Sequence, residues 1–400
     1  MKPCAGDWVE VRSKDEILAT LDKSGRLEGL PFMPQMFQYC GQKLQVYKRA
    51  HKACDTVSGH YTNRGIPHGV HLGLRCDGKA FDGCQAACLI LWNEAWLKPV
   101  EGQSASSVGR TDADPRDYEL PEDAKCTVDD VIAGTRAAKQ HPGSETRYIC
   151  QATELLNYSI PLKTWDARQY FEDYRSGNAS AREVASVLFF AGFQKFARAK
   201  QLGRPARWLY DWFQSLRGGT PYPRKPGTLP LREASPDCNL SLQPGDLVRV
   251  KSLDQILSTV NSQNMHRGMS FDAEMVPYCG RIFRVRDRVE RFLDERTGLM
   301  KRLKTPAVIL EGVVCAGHYS NARWLCPRSI FAWWREVWLE RIPGSQAHSN
   351  SASSRAVWQR PGLASLVDGF PARLNDRSVD VARGQQLNHR RQQDSNIEPY

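Results

Sequence analysis

No segment of this chain comes near the ~18 uninterrupted apolar residues that a membrane-spanning helix needs. The longest apolar runs, Val187 to Phe193 and Cys88 to Trp92, are far shorter. The opening Met-Lys-Pro-Cys-Ala-Gly-Asp-Trp has none of the apolar core of a secretory signal. These absences lead us to expect a cytoplasmic protein in a reducing compartment with no membrane partner. The P-loop, GxGxxG, HExxH, GxSxG and EF-hand patterns are also missing, which removes the common nucleotide, metalloprotease and hydrolase signatures. Acid is in deficit. Lys and Arg number 55 against 44 Asp and Glu, so the net charge is +11 and the surface favours anionic partners without naming one.

Cysteine is not scarce. Twelve in 400 residues, in a reducing setting, point to metal ligands, core thiols or a nucleophile rather than a disulfide framework. Their placement follows an internal repeat. GDWVEVRSKDEILATL, then QYCG, LRCDG and LWNEAWL in the first copy answer to GDLVRVKSLDQILSTV, PYCG, VVCAG and WWREVWL in the second. Cys40 pairs with Cys279, Cys76 with Cys315, Cys84 with Cys326, Trp92 with Trp334, Glu94 with Glu336 and Trp96 with Trp338. Two copies in separate halves mean two like domains.

Within each copy the pattern is mostly period two. Trp8 to Val11, or Leu247 to Val250, reads as a first strand, and Ser13 or Ser252 then caps a short helix. A second strand follows the YCG turn, a third covers Val70 to Cys76 or Val308 to Cys315, and an aromatic fourth covers Leu89 to Leu97 or Ile330 to Leu339. Short strands without room for crossover helices predict a small antiparallel barrel of the SH3-like kind. The expected class is therefore α+β. Barrels at 1–100 and 244–342 flank a helical bundle at 125–217, with an acidic linker at 101–124, a Pro/Gly linker at 218–243 and a mostly disordered tail at 343–400. TVDDVIAG, ETRYICQATELL, WDARQYFEDYRSG, AREVASVLFFAGFQKFARAK and RPARWLYDWFQSL supply the helical period.

If the second and third strands form a hairpin, Cys40, Cys76, Cys84 and Cys88 converge at one barrel end, and four thiolates complete a tetrahedral zinc site. The same reasoning gathers Cys279, Cys315 and Cys326, with His318 standing in for the fourth ligand, because Ile330 replaces Cys88. The spacing is not the C-x2-C knuckle, so the expectation rests on topology. Buried inert thiols are the plain alternative, and an iron–sulfur cluster draws on the same ligands.

Cys54 is predicted at the opposite end, near His68 and His71 and beside Asp55, where a lowered pKa would make it a nucleophile. The second copy has Leu293 there, and a triad would still lack an orienting group, so an ordinary cysteine is the simpler reading. Arg284, Arg286 and Arg288 alternate with apolar residues and form a candidate polyanion-binding stripe. Asp287 and Glu290 interleave with them, which makes a solvated strand face the preferred reading and nucleic acid a partner that is not favoured. Trp92 and Trp96 are expected on one side of a strand with Glu94 between them, and Glu336 is expected to pair with an arginine such as Arg335. Cys150 and Glu154 share one face of the helix expected over YICQATELL.

The run from GDWVEVRSKDEILATLD through LPFMPQM, VYKRAHKACDTV and DGCQAACLILWNEAWL, extending to YICQATELL, resembles an uncharacterised bacterial family of Cys-rich hypothetical proteins. The resemblance implies a bacterial source, treats the first copy and the helices as one unit, and supplies no activity. The reading taken from all of this is a zinc-stabilised binding or accessory protein with a protein or polyanion partner. An enzyme using Cys54 or an iron–sulfur cluster is the alternative.

Overall fold

Ser13 and Ser252 start the two copies in the same way. Each side chain accepts the backbone N–H three residues on, and Glu16 or Gln255 returns a bond to the cap, so short helices form at α1 (Lys14–Leu18) and at Leu253–Leu257. The computed structural model describes residues 2–59, 62–100, 126–138, 141, 144–197, 203–230 and 233–343, all within one compact unit, Met1–Ser353. The expected acidic linker at 101–124 and the tail beyond 343 lie outside the described residues.

The molecule is a mixed α and β protein. In the second copy, strand Leu247–Val250 pairs antiparallel with both Ile282–Leu293 and Leu339–Arg341, with Val248 opposite Phe283 on one side and Arg341 on the other. Ile282–Leu293 pairs onward to Met300–Val314, and that strand pairs to Phe331–Trp334. The resulting order is fourth, third, second, first, fifth. The first copy follows the same pairing order but in separate three-stranded sheets, Leu97–Pro99 with Trp8–Val11 and Lys43–Gln45, and Lys48–Arg49 with Gly69–Arg75 and Leu89–Asn93. Val9 in Trp8–Val11 faces Leu44 and Pro99, but the second strand is broken into Lys43–Gln45, Lys48–Arg49 and Lys52–Cys54, and the third into Asn63–Gly65 and Gly69–Arg75.

Two expectations change here. The aromatic fourth strand is interrupted: Leu89–Asn93 ends in a 3-10 turn at Glu94–Trp96 before Leu97–Pro99, and Phe331–Trp334 ends likewise at Glu336–Trp338. The turn carries the chain across to the first strand, so among the described residues the fourth and fifth strands are not paired with each other and no closed barrel forms. It also breaks the even spacing that would have set Trp92, Glu94 and Trp96 on one side. All four tryptophans are fully buried, with Trp96 Nε1 donating to Thr20 Oγ1 and Trp338 Nε1 to the equivalent Thr259 Oγ1.

The helical region is not a bundle of five. YICQATELL forms successive turns, while helices form at α2 (Val128–Ala133), α3 (Arg168–Arg175), α4 (Ala181–Ala197) and α5 (Gly203–Arg217). Val131, Tyr148 and Leu155 join the core of the first copy, whereas α3 and α4 pack small apolar clusters around Tyr170, Val187 and Phe190.

The copies meet through matching positions. Cys54 N–H donates to Cys326 Sγ at 3.0 Å, and Leu293 N–H donates to Cys84 Sγ at 3.3 Å, so each second strand reaches the cysteine loop of the other copy. Thr56 and Glu295, equivalent positions 239 residues apart, hydrogen-bond directly to each other. Arg75 donates to the carbonyls of Ala87 and Ser329, another equivalent pair, at 2.9 and 2.8 Å. Reciprocal contacts of this kind define a two-fold, dimer-like interface, here built within one chain.

Candidate functional site

The third strand of the first copy runs into Cys76, whose N–H donates to the Cys88 carbonyl at 2.8 Å. Between them the loop folds back at Gly78, where φ is 69° and a Cβ would lie 1.9 Å from the Cys84 carbonyl oxygen, so only glycine fits. Phe81 is buried beneath the turn, and Cys84 N–H returns to the Phe81 carbonyl at 3.1 Å. This local geometry puts Cys76, Cys84 and Cys88 on one wall of a partly enclosed cavity, which has about 770 Å³ of empty space with the solvent at its mouth included.

The fourth thiol on that wall is Cys150, not Cys40. Gln151 anchors the Cys150 turn by accepting from Leu91 N–H at 2.9 Å and donating to the Leu91 and Pro31 carbonyls at 2.8 and 3.1 Å. Tyr158 Oη donates to the Gln151 carbonyl. Cys40 instead follows the 3-10 turn Pro34–Tyr39 and packs against the core, outside the cavity lining. The second copy closes the cavity with Leu293, Glu295 and Arg328.

Burial sets the charge state of the wall. It pushes the Cys76 thiol up to about 12 and Cys150 to about 11, and it raises Cys88 well above its ordinary value, so these groups stand as neutral thiols. Arg328 is the opposite case. Burial works against its charge, but the Glu295 carboxylate at 3.0 Å outweighs it and holds the guanidinium protonated. Arg328 also donates to the Cys54 carbonyl at 3.1 Å and to Thr56 Oγ1 at 2.9 Å, which ties the cation to the seam between the copies.

The expected sites are thus regrouped. Cys279 and Cys315 are half-buried, with Cys315 Sγ near Ser320 Oγ at 4.0 Å, while Cys326 turns away to Cys54 in the other copy. Burial lowers the proton affinity of His318. As the side chains stand, no group of three or more His, Cys, Asp or Glu among the described residues has the geometry to hold a metal ion.

The nucleophile arrangement expected for Cys54 does not form. His71 Nδ1 sits 2.8 Å from the Ile90 carbonyl, and Asp55 is occupied by Val57 N–H, Ser58 N–H and Ser58 Oγ. His68 contributes its carbonyl to Glu94 N–H. The hydrogen bond to Cys326 and burial raise the Cys54 thiol well above its usual value. Its partner is affected in the reverse sense. Burial would raise Cys326, but the Cys54 side chain, the Arg328 N–H and the Arg328 charge bring it down to about 7.

The arginine stripe is occupied as well. Arg288 pairs with Glu336 at 2.8 Å, Arg284 donates to the Gly245 carbonyl at 2.7 Å, and Arg286 lies 5.0 Å from the Phe331 ring centre. A register shift between Val285 and Asp287 breaks the strict alternation the stripe would need. Glu336 therefore pairs with Arg288 rather than Arg335, whose guanidinium donates to the Pro306 and Arg267 carbonyls. The first copy has the equivalent pair, Arg49 and Glu94, at 2.8 Å.

Sequence reasoning missed the place of Cys150 and the Arg328–Glu295 pair. Cys150 was visible only as a cysteine on an expected helix, and nothing local marks residues that meet across the copies. No protein-family model, curated protein or solved structure matches the chain, so the site has to be read from its own chemistry.

Proposed function

We propose that the chain is a metal-stabilised binding or accessory protein in which Cys76, Cys84, Cys88 and Cys150 hold a soft metal centre at the seam between two SH3-like copies. The carrying observation is that four free thiols, brought from two separate segments, line one partly enclosed cavity. Inert packing needs no such coincidence of sulfur. Thiolates select zinc or iron–sulfur centres, and either would reverse the neutral state that burial imposes on Cys76, Cys88 and Cys150 by supplying positive charge. The side chains would have to turn inward to meet a single zinc ion, whose Zn–S distance is ~2.3 Å. Supporting the SH3-like assignment are the strand order and the 3-10 turn before the last strand in each copy. Such a centre would contribute stability, since metal-binding free energy becomes folding free energy.

Elemental analysis and absorption spectra of the full chain, purified without oxygen, test this. About one equivalent of colourless zinc is expected, together with a lower melting temperature after chelation. Visible absorption with bound iron would replace zinc by a cluster and keep the site. A metal-free protein that melts normally, and is indifferent to zinc and iron, would overturn the proposal.

A second reading, thiol chemistry, is favoured by one observation: the buried Cys326 Sγ accepts from Cys54 N–H at 3.0 Å beside the Arg328 guanidinium, a setting that favours the thiolate. Alkylation of Cys326 in the folded protein with a midpoint near pH 7 would support it. Labelling only after unfolding would leave Cys54 and Cys326 as a packed pair.

A further inference from the structure

Helix α5 is inside out. Its inward side carries the polar groups: Asp211 pairs with Lys225 at 2.7 Å and accepts from Tyr222 N–H, Arg207 lies over the Tyr222 ring, and Tyr210 stacks on Phe193 of α4 at 5.1 Å. Its outward side carries Trp208, Leu209, Trp212, Phe213 and Leu216, each between 47% and 68% exposed. The spacing i, i+4, i+8 of Trp208, Trp212 and Leu216 keeps these residues on one stripe. On α4, Phe189 and Phe196, seven residues apart, are 72% and 63% exposed. Apolar side chains standing singly on a surface need no explanation, but a continuous aromatic stripe does.

The charges beside the stripe identify what covers it. Arg182, Lys195, Arg204 and Arg217 are exposed on the two helices. Glu183 and Asp211 are the only acids in α4 and α5; Glu183 bonds Ser180 N–H at the helix start, and Asp211 is paired. A surface of Trp, Phe and Leu fringed by cations alone matches the boundary between anionic headgroups and acyl chains. Neither helix is long and apolar enough to cross a bilayer. We propose that the outer face of α4 and α5 binds an anionic phospholipid surface, lying on it rather than spanning it.

The experiment is co-sedimentation of the full chain with phosphatidylcholine vesicles, with and without phosphatidylserine. Binding to the phosphatidylserine vesicles is expected, with a blue shift of tryptophan emission and weakening by salt. Trp208→Ser with Trp212→Ser should abolish it. Arg204→Gln with Arg217→Gln should weaken it roughly 30-fold while leaving the apolar stripe intact. Two results would overturn the proposal: no binding at low salt, or equal binding to neutral vesicles. A third is self-association of the free chain that the tryptophan variant abolishes, since the face would then be a contact between copies of the chain.

Discussion

The first copy breaks its second strand into three pieces where the second copy runs Ile282–Leu293 without interruption, yet the two packing frameworks match residue for residue. Trp96 with Thr20 answers Trp338 with Thr259, Phe32 packs edge-on against Trp96 as Phe271 does against Trp338, and Arg49–Glu94 answers Arg288–Glu336. The copies diverge where their surfaces face each other. Cys54 stands against Leu293, Cys88 against Ile330, and His71 against Ile309. What is shared is therefore the architecture, and the chemistry is concentrated where the copies differ.

The strongest way to break that comparison is to remove the shared core. Trp96→Ala and Trp338→Ala should each cost about 3–5 kcal/mol, and by similar amounts, in denaturant unfolding. A large inequality would mean that one copy is only loosely packed. A smaller and deliberately unequal effect is expected from the repeated ion pair. Arg49, with a side chain 5% exposed and also bonded to Glu172 at 3.1 Å, should cost about 3 kcal/mol when replaced by Met, because Glu94 is left buried without its cation. Arg288→Met should cost roughly half as much, since Arg288 is 24% exposed and water partly replaces it. Equal losses would show that burial does not set the difference.

The His71 and Ile309 contrast gives a pH test. Burial lowers the proton affinity of His71 to about 4. Between there and the ordinary value near 6.5, the unfolded chain binds more protons than the folded one. This contribution to stability is complete above pH ~6.5 and is lost as pH falls through the window, at up to ~1.4 kcal/mol per pH unit. His71→Ile, which copies the second repeat, should flatten the slope by up to one proton, and an unchanged slope would reject the assignment. The smallest effect is expected from Cys54→Ala. Its stability change should be ~1 kcal/mol, and any alkylation of Cys326 should shift to higher pH because the thiol hydrogen bond is gone.

The contrast also explains what the sequence could reveal. The capped helices and first strands were legible because Ser13 and Ser252 act within one turn of chain. The 3-10 turn at Glu94–Trp96 was not, since Trp92, Glu94 and Trp96 fit a strand period equally well. YICQATELL has helical spacing, but the Gln151 side chain is spent on Leu91 and Pro31, and this tertiary contact favours turns over the helix. Cys76, Cys84 and Cys88 were legible as a convergent group from the hairpin, whereas Cys150 and Arg328 reach the cavity only through contacts between distant segments.

The most direct test of the central claim compares metal content in Cys150→Ser and Cys40→Ser, each made in the full chain and purified without oxygen. If the cavity is the metal centre, Cys150→Ser should lose the bound equivalent while Cys40→Ser keeps it and melts close to the parent protein. Loss in Cys40→Ser with retention in Cys150→Ser, or no metal in any of the three proteins, would contradict the account.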